Sequence, residues 1–152
     1  MLRVLLTHTP PTRRKYYGER AVAASRASAD LRLHEGDEAL GPPDLIHAGR
    51  DVDVIIADRL TAGPAVVFGG LPRLKAFLRC AVDIRNVDVE AASAAGVPVT
   101  RATPGFNTSV SELAIGFMVD LSRGISRATA DYRLGRLPDV RMGARCSELG
   151  SC

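Results

Sequence analysis

Along the first hundred residues, short apolar runs alternate with polar and alanine-rich stretches. Leu2–Thr7 is β-rich and ends before Pro10-Pro11, where backbone donors disappear. Arg14–Ala29 reads as a polar, Ala-rich helix, and Asp30–His34 alternates apolar and polar residues as a strand does. Pro42-Pro43 suits the first turn of a short helix near Asp44–Ala48. Val52–Ala57 and Leu74–Cys80 are two further strands. A helix over Asp88–Ala95 has Asp88 at its cap and Gly96 just past its end, and Val97–Thr100 is a last short strand.

Strand and helix alternating about five times predict an α/β fold with a doubly wound parallel sheet of the flavodoxin-like kind. The apolar strands suit burial on both faces. From Ser109 the period changes. Val110, Leu113, Ala114, Phe117, Met118, Leu121 and Ile125 fall on one wide helical stripe. Ser109 and Glu112 form a capping box ahead of it. Gly124 kinks or ends this helix, and Ser126–Leu134 continues as another, so a long C-terminal helical arm comes after the sheet. Residues 135–152 are Gly-, Arg- and Pro-rich with little apolar content. No repeat or low-complexity tract interrupts the chain.

The 152 residues are 46% hydrophobic and 24% charged, which excludes a disordered tail, a collagen-like chain and a coiled coil. A net charge of +3 is too small to imply nucleic acid. Three cysteines without CxxC spacing disfavour a disulfide framework or a zinc site and fit a reducing compartment. No apolar run approaches the roughly 20 residues that span a bilayer, and no signal-peptide core is present, so a cytoplasmic location is expected.

Few residues carry chemistry by pattern alone. Thr7–Thr12 comes directly after the first strand, but its prolines and lack of glycine make it a stiff surface turn rather than a phosphate loop. Asp58 ends a strand as a phosphate acceptor would, yet Thr7 and His8 stand where acidic magnesium ligands would be needed. His8, His34 and His47 share no metal-ligand spacing, and only His8 is placed to face a cleft. Six arginines between Arg123 and Arg145 read first as a solvated face or a subunit contact. The most informative stretch runs from Arg79 to Asp88, where a strand's end meets a helix start and free N–H groups can hold a carboxylate.

Together with the segments on either side, this stretch resembles the D-isomer-specific 2-hydroxyacid dehydrogenases. Leu74–Arg79 resembles the family's strand before its substrate loop, and Asn86-Val87-Asp88-Val89-Glu90-Ala91-Ala92 its "D-N-[IV]-D-x-x-A". Ala95-Gly96-Val97-Pro98-Val99-Thr100 is similar to "x-G-I-P-V-x-N", and Thr103–Leu113 to "T-P-G-x-N-T-x-S-V-A-E". Tyr132-Arg133-Leu134-Gly135-Arg136 resembles the end of the family's linking helices. The likeness runs from about Val52 to Glu148, and the first fifty residues agree only in pattern.

The resemblance implies a two-domain NAD(P) enzyme acting on a 2-hydroxy or 2-keto acid. Residues 1–104 would be its substrate domain, 105–137 its linking and dimerisation helices, and 138–152 a tail leading to an NAD-binding domain. Arg79 and the Ala81–Asp83 backbone would face the substrate carboxylate. Val82 and Val110 would lie near the nicotinamide, and a homo-oligomer through residues 109–134 is expected. Two departures stand in the loop. Ala81-Val82-Asp83 replaces the family's Gly-Val-Gly or Gly-Thr-Gly, and Arg85 replaces its Asp, placed to pair with or offset Asp83. Ser147–Gly150 looks like the approach to the first Rossmann strand, but no G-x-G-x-x-G and none of the family's catalytic Arg, Glu and His come before the chain ends at Cys152. The expectation is therefore a truncated dehydrogenase, inactive alone and binding no cofactor unaided. One alternative is a non-catalytic interaction protein pairing through the 109–125 helix. Another is a flavodoxin-like binding module, against which the Pro10-Pro11 turn argues.

Overall fold

The computed structural model describes residues 1–137, and the chain divides between Thr103 and Pro104 into two compact units. The first unit carries the sheet. Its strands are β1 (Arg3–Leu6), β2 (Asp30–Leu33), β3 (Val54–Ala57), β4 (Ala76–Arg79) and β5 (Val99–Thr100), all parallel, in the order β2-β1-β3-β4-β5. The doubly wound α/β fold expected from the alternating runs is the fold observed.

One row of side chains crosses the sheet centre. Leu5 pairs with Ile55, Ile55 with Phe77 and Phe77 with Val99, and Leu5, Ile55 and Phe77 are fully buried. Phe77 meets Phe68 edge to face at 5.6 Å between ring centroids. The core joins this row to α3 (Pro42–Gly49), α4 (Ala65–Gly70) and α5 (Val89–Ala94) through Leu45, Val67, Phe68, Leu71 and Ala92. Asp88 caps α5 as its position predicts, accepting from the Ala91 N–H at 2.9 Å. Because β1 has β2 on one side and β3 on the other, the chain reverses its winding between β1 and β3. That switch point opens a crevice at the strands' carboxyl ends.

Two local expectations are corrected, and one further helix appears. Pro10 and Pro11 open α1 (Pro10–Tyr16) instead of a surface turn, since proline fits a helix's first turn, and Thr7, His8 and Thr9 ahead of them are buried. The single helix expected over Arg14–Ala29 is two, because the chain turns at Tyr17 and at Gly18, φ +66°, before α2 (Gly18–Ser28). Helix α4 has no signal in the sequence, since Ala65–Gly70 is a short apolar run with two glycines and no helical period.

The second unit contains α6 (Asn107–Arg123) and α7 (Ile125–Arg133). Gly124 ends α6 in the left-handed region at φ +64°, and Asp120 accepts from the Ser126 N–H at 2.6 Å and its hydroxyl at 2.7 Å. The expected capping box does not form. The helix begins before it, and Ser109 Oγ donates back to the Phe106 carbonyl at 3.0 Å. No residue of α6 or α7 is buried, and Val110, Leu113, Phe117, Met118 and Leu121 are exposed. Among the described residues no helix is long and apolar enough to cross a membrane. The expected tail over 138–152, with Arg141, Arg145 and Ser147–Gly150, lies outside the described residues.

Candidate functional site

The carboxyl ends of β1, β3 and β4 carry most of the buried polar side chains of the first unit. At the end of β4, the Arg79 side chain is turned inward and buried. Its five donors reach five protein oxygens. Nε donates to the Asp83 carbonyl at 3.2 Å, and Nη1 to the carbonyls of Asp58 and Thr61 at 2.5 and 2.8 Å. Nη2 donates to the Arg59 carbonyl at 2.6 Å and to Asn86 Oδ1 at 2.8 Å. A guanidinium has five N–H groups, so this one is saturated. Burial pushes its pKa down while Asp58 and Asp83 pull it back up.

Arg79 thereby ties the segment after β3 to the segment after β4. A second tie is a parallel bridge between Gly63 and Val87, in which Gly63 N donates to Asn86 O at 2.9 Å and Asp88 N to Gly63 O at 2.8 Å. A Cβ on Gly63 would meet Phe68, Val87 and Phe77 at 3.3–3.4 Å, so the close approach of these loops uses the missing side chain.

Between the ties, residues 81–84 form an open loop. Among the described residues, the N–H groups of Ala81, Val82, Asp83 and Ile84 donate to no protein acceptor. Ala81 and Val82 are half-buried and Asp83 is exposed. Successive N–H groups left unpaired at a strand's carboxyl end are available to an anion. Asp83 pairs with Arg85 at 2.8 Å, as the opposite charges at these two positions suggest. Hydrogen bonds from the Arg85 side chain and N–H hold the Asp83 carboxyl well below the usual range.

Beside this loop a cavity of about 490 Å³ is lined by His8, Lys15, Tyr17, Asp58, Cys80 and Ala81, among others. It lies at the β1/β3 switch point. Tyr17 Oη and Cys80 Sγ are 2.9 Å apart, and the Tyr17 ring stands edge-on to His8 at 4.9 Å. Burial is the main cause raising the Tyr17 pKa, with the Cys80 contact second. Burial lowers that of His8 against the opposing pull of Asp58. His8 Nδ1 is buried with no hydrogen-bond partner. Below the cavity a hydroxyl relay ends on Asp58. Thr61 Oγ1 donates to Asp58 Oδ1 at 2.6 Å, which leaves Thr7 Oγ1 to donate to Thr61 Oγ1 at 2.7 Å. These hydroxyls are committed to packing.

Of the residues singled out in the sequence, Arg79, Ala81, Val82 and Asp83 come together on this loop, while Val110 lies on α6 in the other unit. Arg79 spends its side-chain donors on the two loops. His34 Nε2 meets the Glu38 carbonyl at 2.7 Å. Sequence reasoning missed Tyr17 and Cys80 as cavity residues. For His8, its place just after β1 was the available signal.

A dinucleotide cofactor would need a glycine-rich strand-to-helix turn for its diphosphate. The turns after β1, β3 and β4 contain one glycine, Gly63, and its space is filled by Phe68, Val87 and Phe77. The described residues therefore do not fit the cofactor's phosphates. Among them no cluster of His, Cys, Asp or Glu suits a metal ion.

The chain is 34% identical over 92 residues to the D-3-phosphoglycerate dehydrogenase of Methanocaldococcus jannaschii, covering 60% of this chain and 18% of that protein. It is 33% identical over 105 residues to the hydroxypyruvate reductase of Thermotoga maritima, covering 68% of this chain and 34% of that protein. The chain thus spans about a third or less of the length of these curated relatives. An acyclic imino acid reductase, solved with NADPH and D-Arg, superposes with a TM-score of 0.74 at 13% identity, over 97% of this chain and 52% of that one, and so shares the fold. The catalytic-domain profile of the D-isomer specific 2-hydroxyacid dehydrogenases matches residues 4–143. On that match the chain belongs to the D-isomer specific 2-hydroxyacid dehydrogenase family.

Proposed function

We propose that this chain is the substrate-binding part of an NAD(P)-dependent 2-hydroxyacid dehydrogenase, with residues 1–104 as the substrate domain and 105–137 as linking helices. The observation that carries this reading is the run of unpaired N–H groups from Ala81 to Ile84. These groups bind the carboxylate of a 2-hydroxy or 2-keto acid, and the neighbouring cavity receives the rest of the molecule. Arg79 keeps the loop in shape from behind. Val82 presents an apolar side chain beside the loop, where a nicotinamide ring would pack, and the family resemblance assigns Val110 to the same cofactor. Hydride transfer would require a nicotinamide cofactor held outside the described residues. The residues of this chain bind and orient the acid, and the chain alone is expected to turn nothing over. The exposed stripe on α6 supports a homo-oligomer through residues 109–134.

Titrating the isotope-labelled chain with pyruvate and tracking backbone amide shifts tests this directly. Movement concentrated at residues 81–84 is the expected result. Unmoved amides there, at tens of millimolar pyruvate, would overturn the reading.

A further inference from the structure

Asp83 sits among the very N–H groups that would hold a substrate carboxylate. A short aspartate side chain readily hydrogen-bonds neighbouring backbone donors, so its own carboxylate is the nearest competitor for that place. It is also a negative charge beside an anion site. In the structure neither conflict is realised. Both Asp83 oxygens are turned onto Arg85. Oδ1 accepts from the Arg85 N–H at 3.0 Å and from Nε at 3.0 Å, and Oδ2 from Nε at 3.1 Å and Nη2 at 2.8 Å. From behind, Arg79 Nε holds the carbonyl of the same residue. Residue 83 is thus fixed at its main chain by one arginine and at its side chain by another.

Resting on the reading of residues 81–84 as a carboxylate site, we infer that Arg85 is a positioning residue that holds the Asp83 carboxylate off the loop's free N–H groups and cancels its charge, so that the loop accepts an anionic substrate. The pair is solvent-exposed, with side-chain exposures of 54% for Asp83 and 91% for Arg85. Its contribution is therefore expected in ligand binding and only slightly in stability.

The test is the same amide titration of the full chain with pyruvate, repeated on Arg85→Ala, Arg85→Gln, Asp83→Ala and the double variant. Two unit charges about 6 Å apart in a water-like dielectric change an affinity by about threefold, and occupation of the loop by the freed carboxylate adds to that. Arg85→Ala and Arg85→Gln are expected to weaken pyruvate by about threefold to tenfold at low salt, and by less at about 0.5 M salt as screening grows. Removing Asp83 as well should return the affinity to within about twofold of the parent. A merely structural Arg85 would leave the double variant as weak as the single one, and that result overturns the inference. So does an Arg85→Ala affinity equal to the parent's. If the parent itself shows no shift at residues 81–84, the carboxylate reading falls and takes this inference with it. Binding by the parent that is insensitive to Arg85 removes the inference alone.

Discussion

Arg79 Nη2 donates to Asn86 Oδ1 at 2.8 Å and to the Arg59 carbonyl at 2.6 Å, so one buried nitrogen spans two loops that the sequence separates by more than twenty residues. No shorter or less branched side chain can reach all five acceptors of this guanidinium. Arg79→Met is expected to destabilise the fold by about 3 kcal/mol, since it removes charge-assisted hydrogen bonds and strands the buried carbonyls of Asp58 and Thr61. Arg79→Lys, which keeps the charge but loses the fork, should still cost about 2 kcal/mol. Urea denaturation monitored by circular dichroism gives both values. A loss under about 1 kcal/mol in Arg79→Met would show that the clamp does not hold the loops.

His8 gives the fold a pH dependence of definite sign. Burial lowers its folded pKa below that of the unfolded chain, near 6.5, so the unfolded state binds the proton more readily. The contribution of neutral His8 is fully present above that value and is lost as pH falls through the folded pKa. Stability should decline as pH falls below about 6.5. His8→Phe, which removes the unpartnered Nδ1 and keeps a ring against Tyr17, should flatten that slope. Parallel slopes for the two proteins would place the titration elsewhere.

Phe77 is the residue on which the sheet and its helices converge, being fully buried, paired with Ile55 and Val99, and in edge contact with Phe68. Phe77→Ala is expected to cost about 4 kcal/mol through lost transfer energy and the cavity left behind. Phe77→Leu should cost markedly less. Equal losses for the two would mean that packing around the ring contributes nothing.

The stripe on α6 predicts self-association. Leu113 and Phe117 lie one helical turn apart and are both more than half exposed, at 55% and 57%. The parent chain is expected to sediment as a dimer at tens of micromolar. Leu113→Asp combined with Phe117→Asp should give a monomer with unchanged secondary structure. A parent that stays monomeric at all concentrations would overturn the oligomer reading.

Much of the architecture was legible because buried parallel strands leave continuous apolar runs. All five strands fall within the runs that announced them, and Asp88 and Gly124 act where their residue types suggest. What was not legible depends on context that a local pattern does not hold. Pro10-Pro11 reads as part of a surface turn, yet it opens α1, with Thr7–Thr9 buried ahead of it. Ser109 has a capping residue's chemistry, but the helix starts before it and its hydroxyl goes to Phe106 O. The open loop at 81–84 was legible from its place after a strand. The cavity was not, because His8, Tyr17 and Cys80 meet only through the topology, and 63 residues separate Tyr17 from Cys80.

The bridge between Gly63 and Val87 reaches further than the shape of one site. With Arg79 beneath it, the segment after β3 and the segment after β4 cannot loosen separately. Their amides should exchange with solvent in step, as one cooperative unit. A replacement on one side is then expected to need an accommodating replacement on the other.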